Sequence, residues 1–110
     1  MKKTNMLVFA ASLLLATITT QAQAWTRYGG VQSCGTIFAE KGEIPSKAVY
    51  SAWMFGFISA ANELTDTTLS QAPDEEGVWQ ALVLYCKNNP LDNLHSATVE
   101  VWGQLLQRNQ

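Results

Sequence analysis

The sequence predicts a small all-α domain of four helices, with one disulfide linking the N-terminal helix to the end of helix three. Three observations carry that expectation. From residue 34 onward apolar residues recur at three-four spacing, and no stretch shows sustained alternation. Two cysteines, Cys34 and Cys86, allow a single intramolecular pairing. Breaks containing Pro45, Pro73 and Pro90 divide the chain into helix-length pieces.

Ahead of these pieces lies a segment of another kind. Lys2 and Lys3 precede an apolar run over 6–18, and Ala22-Gln23-Ala24 has the small-x-small pattern of a cleavage site. That is the layout of a signal peptide over 1–24, leaving 25–110 as a single helical domain that begins at Trp25. The apolar run has 13 residues, about 20 Å as a helix against about 30 Å of hydrocarbon, so cleavage is favoured over anchoring. Export to the periplasm puts the cysteines where disulfides persist, and closing so long a loop stabilises a fold by about 4 kcal/mol on the chain-entropy account. No C-x-x-C spacing is present, so the pair reads as a structural staple and not as a reactive thiol site.

Residues 25–110 carry five Lys+Arg against nine Asp+Glu, a net charge of −4 with His95 neutral. An acidic chain without a basic run has no electrostatic footprint for nucleic acid or anionic lipid.

The elements follow in order. Cys34, Ile37, Phe38 and Lys41 fall at helical spacing and predict a short first helix ending at Gly42. Ile44-Pro45-Ser46 reads as a break with Ser46 as N-cap, opening a second helix over 47–64. Its sequence is apolar nearly all round, which predicts a buried central helix; residues 48–61 span about 21 Å, too short to cross a bilayer. Within it Ala52, Gly56 and Ala60 recur every fourth residue, a small-residue stripe expected to mark a tight internal helix crossing. The other faces carry Tyr50, Trp53, Met54, Phe57 and Ile58, read first as core and second as an apolar client or partner surface. Residues 62–72 are polar and predict a loop.

Pro73 is expected in the first turn of a third helix, where Asp74, Glu75 and Glu76 suit the positive end of the helix dipole. Val78, Trp79, Leu82, Val83 and Cys86 form its apolar face, Lys87 sits near its end, and Asn88-Asn89-Pro90 stops it. A fourth helix capped by Asp92 or Asn93 then carries Leu94, Ala97, Thr98, Val101, Trp102, Leu105 and Leu106 in register.

Little here resembles catalytic machinery. His95 is the single histidine, with Asp92 three residues before it, and no nucleophile-elbow sequence supplies a serine. With both cysteines oxidised, a metal site lacks ligands, and neither a phosphate loop nor a dinucleotide fingerprint is present. No cofactor and no enzyme activity are expected. Trp25, at the new N-terminus, is either a tail residue or an interface anchor.

One segment, LYCKNNPLDNL over 84–94, resembles the HdeA/HdeB acid-stress chaperones of the periplasm. The wide Cys34 to Cys86 spacing and the aromatic second helix around Ala52-Trp53-Met54 are also similar. The chain is poorer in charge than that family, and its last residues are not lysine-dense. The resemblance implies a holdase, folded and often dimeric near neutral pH, which loosens in acid and exposes apolar helix surface to clients. The run GFISAAN over 56–62 is in turn similar to periplasmic immunity proteins of type VI secretion systems. That implies a folded surface that neutralises a peptidoglycan-cleaving toxin, with 62–72 a candidate contact loop. A subunit of an envelope complex is a third class. The partners expected are therefore other periplasmic proteins, clients or a toxin, with a second copy as a homodimer the further candidate, and without stable membrane insertion.

Overall fold

The computed structural model describes residues 28–110; the expected signal peptide, its cleavage site and Trp25 lie outside them. The described residues form four helices: α1 (Cys34–Ala39), α2 (Ile44–Leu64), α3 (Glu75–Asn88) and α4 (Leu94–Arg108). An isolated antiparallel bridge pairs Ser33 with Asn93. The disulfide joins Cys34, the first residue of α1, to Cys86 in the last turn of α3.

Capping side chains start three of the helices. Ser33 accepts from the Thr36 amide at 3.2 Å, Asp74 from the Gly77 amide at 2.8 Å, and Asn93 from the Ser96 amide at 2.9 Å. Each satisfies one of the amides a helix start leaves free. Pro73 therefore lies before the N-cap of α3, not in its first turn. The start of α2 also differs from expectation. The helix begins at Ile44 with Pro45 in its first turn, capped by the Glu43 backbone without a side-chain bond. Proline is pre-organised for a first turn because its missing amide would be unpaired there anyway. Ser46 is then inside the helix, its hydroxyl 3.3 Å from the Glu43 carboxylate.

α3 and α4 bury the faces their spacing predicts. Val78, Trp79, Leu82, Val83 and Cys86 pack against Leu94, Ala97, Thr98, Val101 and Leu105. Burying each large apolar side chain contributes about 1.5–3 kcal/mol. α3 lies on α1 and α4, and α2 lies chiefly on α4.

The second helix is not enclosed. Tyr50, Met54 and Ile58, spaced four apart, are its buried row. The opposite row, Ala48, Ala52, Gly56 and Ala60, is exposed. A helix apolar on every side carries no phase in its sequence, so pattern alone could not choose which face the core takes. The disulfide, moreover, clamps α1 to α3 and leaves α2 to packing and polar ties.

Candidate binding surface

Residues 28–33 run as a strap across the starts of α2's aromatic face and α4. Its carbonyls are its anchors. The Trp53 indole donates to the Tyr28 carbonyl at 3.0 Å. The first two amides of α4 follow: His95 donates to the Gly30 carbonyl at 2.9 Å and Leu94 to the Gln32 carbonyl at 2.8 Å. The strap thereby satisfies donors that no turn of α4 can reach. Apart from Ser33, whose hydroxyl caps α1, its side chains add little, since Tyr28 and Val31 are exposed.

Glycine is required where the strap meets Trp53. Gly29 and Gly30 have φ of 79° and 77°, a region L side chains rarely adopt. A Cβ on Gly29 would stand 2.7 Å from the indole nitrogen, and one on Gly30 2.5 Å from Cζ2 of the ring. Two bare backbone units thus lie directly on the indole.

Behind the strap is an aromatic cluster. Trp53 stacks on Phe57 with ring centres 5.6 Å apart, and His95 presents an edge to Phe57 at 5.5 Å and to Trp53 at 6.3 Å. A spacing of four residues, about one turn along α2, sets the first pair; the strap-capped start of α4 sets His95. A hollow of about 190 Å³ remains along the seam, lined by the strap and by Val49, Tyr50, Trp53 and Leu94.

Two tyrosines tie the frame around this surface. Tyr50 donates to the Glu40 carboxylate, joining α2 to the end of α1, and Tyr85 donates to Asp92, joining α3 to the loop before α4. Donating to a carboxylate holds each phenol in its neutral form, and both are pushed up to about 12. Lys47 and Glu76 form an ion pair at 2.6 Å that bridges α2 and α3. The Lys47 bond, then the Gln80 amide, holds the Glu76 carboxyl below its ordinary value.

Comparison with known proteins returns nothing: no family model matches the chain, no curated protein matches it, and no solved structure matches it. The surface is read from its own geometry.

The sequence-predicted residues divide sharply. Tyr50, Met54 and Ile58 are core, while Trp53 and Phe57 are half-buried: Trp53 meets the strap, and Phe57 packs on Trp53 and His95. Ala52, Gly56 and Ala60 take part in no internal crossing, which corrects that expectation: they are exposed, and no described atom lies within 4 Å of a Cβ built on Gly56. The core instead takes the bulkier row on the opposite side of the helix, because large side chains bury more area per residue. Residues 62–72 shorten as a loop, with α2 continuing to Leu64.

Asp92 and His95 line one shallow hollow with Tyr85, Ser96 and Glu100. The Asp92 carboxylate takes the Tyr85 hydroxyl, and the His95 ring packs on the aromatics of α2. Among the described residues no group of three or more His, Cys, Asp and Glu is placed to hold a metal ion, and no helix is long and apolar enough to cross a membrane. Sequence reasoning missed Gly29 and Gly30. Two adjacent glycines just ahead of a cysteine-anchored helix were the available signal, but their partner is in another helix.

Proposed function

We propose that this protein is a small periplasmic binding protein that works as an acid-stress holdase, holding loosened clients on the apolar surface of α2. One observation carries the reading. The longest and most apolar helix lies within the loop that the disulfide closes, carries neither cysteine, and is held on one face by packing and by polar ties of which two, Tyr50 to Glu40 and Lys47 to Glu76, run through carboxylates. Acid acts on those ties. Glu76, with its folded pKa below the unfolded value of 4.5, contributes stability above that value and loses it as pH falls through the folded pKa. The bond from the Tyr50 hydroxyl to the Glu40 carboxylate is charge-assisted, a kind stronger than a neutral one. Over 25–110, full protonation takes the charge from −4 to +6, and self-repulsion favours opening. The disulfide keeps α1 and α3 together while α2 loosens.

The test is suppression of aggregation of a thermally unfolding reporter, citrate synthase, at neutral pH and at about pH 3, below the carboxylate range. Protection in acid and weak protection at neutrality is the expected result; absence of protection in acid removes the reading.

A second reading has an observation of its own. Gly56, Ser59 and Ala60, from the run that is similar to type VI immunity proteins, are exposed in the folded state. A toxin-neutralising surface would use them without any change of fold. A pull-down at neutral pH that recovers a cell-wall hydrolase would favour it over the holdase.

A further inference from the structure

We draw no further inference here: the strongest candidate, the apolar hollow of about 160 Å³ lined by Phe55, Ile58, Leu69, Val78 and Leu105, carries nothing, because nothing in the structure shows what fills or covers it.

Discussion

The Tyr50 hydroxyl donates to the Glu40 carboxylate at 2.5 Å, fixing the apolar helix α2 to the far end of α1. Tyr85 and Asp92 repeat the arrangement on the other side of the domain. Together they are polar ties of a fold whose buried residues are apolar but for Thr98.

Alkaline pH should therefore undo the domain in a defined window. Both phenols are raised from 10 to about 12 because ionising them would give up the hydrogen bond each donates to a carboxylate, and burial and the carboxylate's charge add to this. Their contribution is complete below pH 10 and is lost as pH rises through about 12. Tyrosinate absorbance should show two groups titrating late, together with a falling melting temperature. In Tyr50→Phe one late titration disappears, and the melting temperature changes less between pH 10 and 12. A wild-type melting temperature flat across that range would contradict this.

The buried Thr98 hydroxyl has no hydrogen-bond partner among the described residues. It sits on the inner face of α4, fully buried among Leu94, Val101 and Leu105. An unpaired buried hydroxyl costs about 1–3 kcal/mol, and valine keeps the shape without the polar atom. Thr98→Val should raise stability by about 1 kcal/mol, or roughly 4–8 °C in melting temperature for a domain of this size. Loss of stability would mean that the hydroxyl is satisfied.

These cases mark how far the sequence could be read. α3 and α4 were legible because their apolar residues keep one phase, and Asn93 was one of the two N-caps expected for α4; the start of α3 was set too early, with Asp74 read as a first-turn acid and not as the cap. The pairing of Cys34 with Cys86 followed from there being two cysteines. The orientation of α2 was not legible: with apolar residues on every side, its sequence does not distinguish the Met54 row from the Gly56 row. Pro45 looked like a break because proline ends helices from within, whereas here it stands in a first turn. The candidate surface was half visible. Trp53 and Phe57 were singled out as α2 aromatics, but their neighbours come from elsewhere: the strap 25 positions back from Trp53 and His95 at the start of α4. No local pattern encodes such contacts.

The end of α2 offers a second gain in stability. Asp66 has φ of 51°, Thr67 donates to the Asn62 carbonyl at 2.8 Å, and Asp66 donates to the Glu63 carbonyl at 3.2 Å. This is a Schellman closure with aspartate in the left-handed position that glycine usually occupies. Asp66→Gly should stabilise by about 0.5–1 kcal/mol in chemical denaturation, because the strain of a Cβ there disappears. A decrease would imply that the Asp66 carboxylate makes a contact worth more than that strain.

Gly56 sets fold against function most directly. It lies in the middle of α2, exposed, with open space where a side chain would go. A glycine there costs about 0.5–1 kcal/mol relative to alanine, so Gly56→Ala should stabilise the domain by that amount. Nothing among the described residues uses the absence of a side chain at that point; a partner backbone lying close along Ala52, Gly56 and Ala60 would. Gly56→Leu should leave circular dichroism unchanged and the melting temperature within a few degrees, since the added side chain meets solvent. If the folded surface of α2 binds a toxin, that substitution should abolish capture of the hydrolase at neutral pH. If α2 serves as a holdase that opens in acid, protection of citrate synthase should be unchanged or should rise, because an extra apolar side chain adds to the surface clients meet. One variant, assayed both ways, thus separates the two uses of the same helix.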